Sequence, residues 1–308
     1  MKVAWIFSGQ GAQTVGMGKD LYENSAAAKA VYDEADATLG YSISDVCFNG
    51  PGEKLTSSIY CQSAIYTTSM ACLAAFLERY SDAPVPVAAA GLSLGEYAAL
   101  SAAGYFSFAD GLKLVTKRGA LMDEACQKTT GAMASIIGGD PAVIESVCKE
   151  FDIDVANYNC PGQIVISGEA DRVEKAAAEI KAKGAKRALV LNVAGGFHSR
   201  LMASAGEALK PYLDGVEVSP LKIPVAQNCI GGLVTDESTI KANLVTQVAG
   251  SVRWEDCVRD IVAKQGADTF IEFGPGNVLT GLVRRTLPEM KLFNISCFAD
   301  LDNFTVGE

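Results

Sequence analysis

Residues 2–7 form a nearly unbroken apolar run, closed by Ser8-Gly9-Gln10-Gly11-Ala12-Gln13. That pattern predicts a buried strand feeding a glycine turn. Apolar positions recur at helical spacing over 18–39, which predicts a helix. Residues 63–78 predict a second helix, apolar on nearly all sides and therefore deeply buried. An apolar run at 85–90 predicts a strand, and good helix formers occupy 96–103. A helix over 109–125 carries Arg118 and ends near Gly131. This strand–helix–strand alternation predicts a parallel sheet. The middle of the chain reads differently. Strands are predicted at 132–137, 154–158, 163–167 and 187–193, with helices at 141–151 and 170–183. The central pair of strands flanks the turn Asn159-Cys160-Pro161-Gly162, and the charges over 170–183 alternate in sign as on a solvated face. After this βαββαβ series the first pattern resumes. A strand is expected near 223–227, helices at 240–248 and 254–265, and a strand at 269–273. The turn Gly274-Pro275-Gly276-Asn277 that follows reads as backbone geometry without chemistry.

Between the run at 85–90 and the helix at 96–103 stands Gly91-Leu92-Ser93-Leu94-Gly95. A serine between two glycines at a strand-to-helix turn is the nucleophile-elbow pattern. The turn is tight, glycines fit its flanks, and the hydroxyl is pushed outward. The following helix end supplies N–H groups that suit a developing oxyanion. In a chain with 30 glycines the five residues alone are also compatible with a structural turn. Their strand and helix context favours the elbow. The expected fold is α/β: a large α/β-hydrolase-like domain with a parallel sheet, into which a small ferredoxin-like (βαββαβ) subdomain is inserted. The boundaries fall at 1–128 and 196–308 for the large domain and 129–195 for the small one.

The chain contains one histidine, His198, within Gly195-Gly196-Phe197-His198-Ser199. A serine nucleophile needs a base that titrates near neutrality, so His198 is the single histidine candidate. A lone histidine is often only a hydrogen-bonded structural residue. Here the neighbouring glycines point to a loop that approaches something closely.

Composition narrows the class. The chain has 308 residues, 49% hydrophobic and 20% charged, as expected of a soluble globular enzyme. A net charge of −10 argues against nucleic acid as a partner, while leaving room for a local basic patch. The first apolar run is too short for a signal-peptide core, and no run approaches the roughly 18 residues of a membrane helix. The nine cysteines are widely spaced without a CxxC pair. With one histidine, no metal site is expected. Free thiols, most of them in the core, fit a reducing cytoplasm.

Taken in order, further segments carry a resemblance over essentially the whole chain. They are Gly9-Gln10-Gly11-Ala12-Gln13, Cys61-Gln62-Ser63-Ala64-Ile65, Gly91-Leu92-Ser93-Leu94-Gly95-Glu96-Tyr97, Lys117-Arg118-Gly119, Asn159-Cys160-Pro161-Gly162-Gln163 and Gly196-Phe197-His198-Ser199. Gln247 before Val252-Arg253-Trp254, and Glu272-Phe273-Gly274-Pro275-Gly276, complete the set. The chain resembles the malonyl-CoA:acyl carrier protein transacylases, acyltransferases of fatty acid synthesis. The resemblance implies transfer of malonyl from malonyl-CoA to the phosphopantetheine thiol of acyl carrier protein, through an acyl-serine and ping-pong kinetics. It implies Ser93 as nucleophile and His198 as base, with Gln10 and Leu94 giving backbone N–H groups to the oxyanion. It implies that Arg118 holds the malonyl carboxylate and that the Gln247 carbonyl orients the imidazole. Gln62 and Asn159 are expected in support, and Phe197 beside the acyl α-carbon. No cofactor is expected, because the coenzyme A thioester is the substrate; the partners are malonyl-CoA and acyl carrier protein, and the expected state is a monomer. Leu92 departs from the family, which has histidine before the nucleophile.

Physical chemistry is consistent with the arginine assignment: a guanidinium grips a carboxylate with two parallel hydrogen bonds and stays charged when buried. On the local sequence alone, a surface position on the helix is the favoured reading for Arg118. Three alternatives stay open: a free-standing acyltransferase of polyketide synthesis, a serine thioesterase or esterase, and a nucleotide-binding module. Hydrolases with this elbow place their histidine near the chain end, whereas a long segment follows His198. A nucleotide-binding GxGxxG fails at Thr14.

Overall fold

The computed structural model describes residues 1–304. Eleven strands are numbered in chain order: β1 (Val3–Phe7), β2 (Ala88–Gly91), β3 (Gly131–Ile137), β4 (Asp154–Cys160), β5 (Gln163–Glu169), β6 (Arg187–Val190), β7 (Val225–Gln227), β8 (Gly232–Leu233), β9 (Val252–Arg253), β10 (Thr269–Phe273) and β11 (Lys291–Ile295). They form two sheets. The larger has the order β11-β10-β1-β2-β7-β8. Its pairs are parallel except for the β7–β8 hairpin. Every residue of β1 and β10 is buried, which is why both read as continuous apolar runs without alternation.

The smaller sheet has the order β6-β3-β5-β4-β9. Its first four strands make the antiparallel βαββαβ arrangement, covered by helices Pro141–Glu150 and Ala170–Ala182. Strand β9 is an addition to the expected unit. It comes from a distant part of the chain and pairs in parallel with β4, so this sheet is sewn to the rest by backbone hydrogen bonds. A two-residue strand with a partner so remote in sequence carries no local signature.

Helix bounds also shift for physical reasons. The expected helix at 18–39 is two helices, Lys19–Asn24 and Ala26–Leu39. Ser25 separates them in extended conformation and caps the second by accepting from the Ala28 N–H. The buried helix begins earlier than expected, at Ser58, and ends at Arg79. It packs against Ala26–Leu39 and Phe108–Lys128, so its polar residues face protein as its apolar ones do. The last strand of the small unit stops at Val190 rather than 193, and the chain then turns along a cleft. Helices Ala203–Asp214 and Val278–Thr286 and strand β11 lie beyond the sequence expectations. Among the described residues, no helix is long and apolar enough to cross a membrane.

Candidate active site

Parallel pairing sets Phe7 of β1 beside Gly91 of β2. The turns that follow the two strands therefore leave the sheet side by side, at the edge where parallel sheets build ligand sites. The turn after β2 is the elbow. A Cβ on Gly91 would lie 1.9 Å from the Gly95 carbonyl carbon, and one on Gly95 would lie 2.1 Å from the Phe7 carbonyl oxygen. Only glycine fits either place. Ser93, between them, has φ 53°, a left-handed conformation that a serine holds only when its surroundings impose it. Asn228 imposes it from two directions. Its Oδ1 accepts the Ser93 N–H at 2.6 Å, and its Nδ2 donates to the Gly91 carbonyl at 2.8 Å.

His198 is a second left-handed residue, with φ 54°. Its Nε2 lies 2.7 Å from Ser93 Oγ. Its Nδ1 lies 2.9 Å from the Gln247 carbonyl and 3.2 Å from that of Gly250. Carbonyl oxygens only accept, so Nδ1 carries the proton and Nε2 is left to accept from the serine hydroxyl. The pair is almost closed off, Ser93 being 8% and His198 5% exposed. Burial, and then the positive charge of Arg118, push the histidine down to about 4, against the two carbonyl hydrogen bonds that pull it up. The imidazole is neutral, and so competent to accept a proton, throughout the physiological range.

Arg118 is not a surface residue. It is 1% exposed and reaches the serine from helix Phe108–Lys128. Its Nη2 donates to Ser93 Oγ at 3.0 Å and to Gln247 Oε1 at 3.1 Å, and its Nη1 donates to Gln62 Oε1 at 2.8 Å. The guanidinium also stands 5.7 Å from the centre of the Tyr97 ring. All three hydrogen-bond acceptors are neutral oxygens. A buried guanidinium so surrounded is well placed to receive a carboxylate.

The structure thus gathers Ser93, His198, Arg118, Gln62 and Gln247 into one hydrogen-bonded cluster. Gln10, Phe197 and Asn159 line the cleft of about 460 Å³ into which Ser93 and His198 open. Asn159 stands apart from the cluster: it lies on β4, and its buried Oδ1 has no hydrogen-bond partner. Leu94 begins the elbow helix Gly95–Ala102. The next three N–H groups, of Gly95, Glu96 and Tyr97, already donate to the carbonyls of Leu92, Ser93 and Leu94. The helix end therefore offers the Leu94 N–H rather than a fan of free donors. Leu92 lines the cleft and packs against the apolar cluster containing Leu279 and Leu282, surroundings that suit leucine.

Three functional neighbours were not anticipated: Asn228, Gln227 and Glu96. Glu96 is fully buried and accepts from Gln247 Nε2, Gln227 Nε2 and the Asn228 N–H. Burial raises it to about 7, while these donors and Arg118 pull it back toward the charged form. A sequence signal existed for Glu96, a lone carboxylate in the apolar helix after the elbow. Asn228 and Gln227 follow a short strand and look like ordinary loop polarity.

Comparison with known proteins gives a consistent picture. Residues 4–299 match the family model described as an acyl transferase domain. A malonyl CoA-acyl carrier protein transacylase of Bacillus subtilis is 44% identical over 301 residues, covering 96% of this chain and 93% of that protein. An acyl-carrier-protein-S-malonyltransferase from Bartonella henselae superposes with a TM-score of 0.92 at 38% identity, covering 98% of both chains. A malonyl-transacylase solved in complex with a type II PKS acyl-carrier protein gives 0.94 at 36% identity, again over 98% of both chains.

Proposed function

The chain belongs to the acyl transferase family and groups within it with the malonyl CoA-acyl carrier protein transacylases. From that premise and the geometry of the cleft, we propose that it moves malonyl from malonyl-CoA to the phosphopantetheine thiol of acyl carrier protein, supplying fatty acid synthesis. Ser93 Oγ attacks the thioester carbonyl as its proton passes to His198 Nε2. The tetrahedral oxyanion is met by the backbone N–H groups of Gln10 and Leu94. Collapse breaks the carbon–sulfur bond, and the coenzyme A sulfur leaves with the proton from His198. This yields a malonyl-serine ester. The carrier thiol then gives its proton to His198, attacks the ester, and releases Ser93, which recovers its proton. Gln247 and Gly250 hold the imidazole through their carbonyls, in place of an aspartate. The thioester is substrate, and the chemistry uses no further cofactor. Residues 1–128 and 196–304 make up the large unit and carry these groups, while the inserted residues 129–195 supply one side of the cleft.

The observation that carries this reading is the buried Arg118 guanidinium, 3.0 Å from the serine oxygen and hydrogen-bonded only to neutral atoms. A malonyl ester on Ser93 places its free carboxylate a few bonds away. Binding of that carboxylate also offsets the charge that depresses His198, and so restores basicity when the right substrate arrives. The test is a transfer assay that offers malonyl, methylmalonyl and acetyl thioesters to a purified carrier protein. Malonyl should be strongly preferred, and Phe197 should disfavour the branched unit.

Arg118→Ala should change the preference, not merely the rate. Loss of a charge-assisted hydrogen bond, worth about 1.5–3 kcal/mol, corresponds to roughly 10- to 150-fold in kcat/KM for malonyl. Acetyl transfer should hold or rise, because no carboxylate is lost and His198 regains basicity. An equal fall for both thioesters would make Arg118 structural and remove the main support for malonyl.

A further inference from the structure

Glu96 does not line the cleft, yet it sits behind Asn228, which holds the nucleophile, and Gln247, which holds the arginine. Its Oε2 accepts from Gln247 Nε2 at 2.9 Å and from the Asn228 N–H at 2.8 Å, and its Oε1 accepts from Gln227 Nε2 at 2.9 Å. All three partners are donors, a set that favours the ionised carboxylate against its burial. A primary amide has one accepting end and one donating end. Both Glu96 oxygens accept in this arrangement, so the Gln247 amide turns its nitrogen inward, where it also donates to the Ser93 carbonyl at 2.9 Å. Its oxygen is thereby turned toward Arg118 Nη2, at 3.1 Å.

We propose that Glu96 is a positioning residue for acyl-group selection: through Gln247 it fixes the Arg118 guanidinium for the substrate carboxylate. This rests on the reading of Arg118 as the carboxylate holder. The indirect arrangement has a physical reason. A carboxylate paired directly with Arg118 would compete with malonyl for the same donors. One placed behind a neutral amide orients the guanidinium and balances part of its charge, yet leaves it only neutral partners that a substrate carboxylate can displace.

Glu96 also supports the elbow through Asn228, so its removal will slow transfer of every acyl group to some extent. The informative quantity is the ratio of kcat/KM for malonyl-CoA to that for acetyl-CoA. It should be measured in wild type, Glu96→Gln, Arg118→Ala and the double variant. With glutamine at 96, the Gln247 nitrogen keeps only the Ser93 carbonyl as acceptor, and the charged acceptor that opposes an inverted amide, with its N–H₂ set against the guanidinium, is gone. The ratio should fall about tenfold or more, the size of one hydrogen bond to a charged group. In the Arg118→Ala background the same change should leave the ratio within about twofold, because the two residues act in one line. An unchanged ratio in Glu96→Gln beside a collapsed ratio in Arg118→Ala overturns the role of Glu96 alone. So does an equal loss in both backgrounds. An unchanged ratio in Arg118→Ala overturns the reading of Arg118 itself. Should Glu96→Gln fail to fold, Gln247→Ala breaks the same line one step nearer the arginine and keeps the backbone carbonyl on His198. It must lower the ratio likewise, and an unchanged ratio there overturns the proposal.

Discussion

Replacing Ser93 with alanine should abolish formation of the malonyl-enzyme and bring transfer down to the assay background. The expected loss is on the order of 10⁶-fold in kcat, the size associated with removing an acyl-enzyme nucleophile. The elbow gives the reason for so complete an effect. Gly91 and Gly95 have no room for any side chain, so the turn presents one hydroxyl at its tip. That hydroxyl is the atom on which His198 and Arg118 converge. Alanine removes it and leaves the turn intact, since the φ of 53° is imposed through the backbone by Asn228. A thermal melt near that of wild type should therefore accompany the loss. Labelling of the alanine variant at the wild-type level would place the acyl group elsewhere.

Replacing His198 with alanine should lower the acylation rate by about 10²- to 10⁴-fold, the range for a positioned general base. The loss should persist at saturating malonyl-CoA, because the base acts on the chemical step and not on binding. No second histidine exists to take its place. The wild-type pH dependence has a definite sign. The neutral ring is the active form, and burial and Arg118 hold its titration down near 4. Inactivation of Ser93 by a neutral sulfonyl fluoride, which does not engage Arg118, should therefore stay level as pH falls through 6. It should decline with a midpoint near 4. A midpoint near 6.5, the ordinary histidine value, would mean that the ring is solvated and not enclosed as the structure has it.

Much of this site was legible because its chemistry depends on scarce residues in rigid local patterns. The elbow is local: two glycines, a serine, a strand before and a helix after. The candidate base was legible by scarcity, since the chain has one histidine, and the fold sets it 2.7 Å from Ser93 Oγ. The inner strands β10, β1, β2 and β7 of the larger sheet were legible for a similar reason, as buried strands read as continuous apolar runs, whereas the edge strands β11 and β8 were not. Arg118 was ambiguous, because a helical arginine looks the same facing water or a nucleophile. Its burial is decided by the partner helix that supplies Gln62. Strand β9 and the Glu96–Gln227–Asn228 network escaped because they depend on pairings across more than ninety residues, which leave no periodic trace. Helix Val278–Thr286 did leave one. Leu279, Leu282, Val283 and Thr286 are buried at helical spacing.

The most direct test of the central claim follows one malonyl group from donor to acceptor. The wild-type protein is incubated with malonyl-CoA and its intact mass recorded, the modified peptide is sequenced, and carrier protein bearing its pantetheine thiol is then added. Covalent transfer predicts a gain of one malonyl group per chain, an ester on Ser93, and its disappearance from the enzyme as the same group appears on the carrier thiol. Rapid release of free malonate without a lasting adduct, or a malonyl group on the carrier protein with none ever on Ser93, would contradict it.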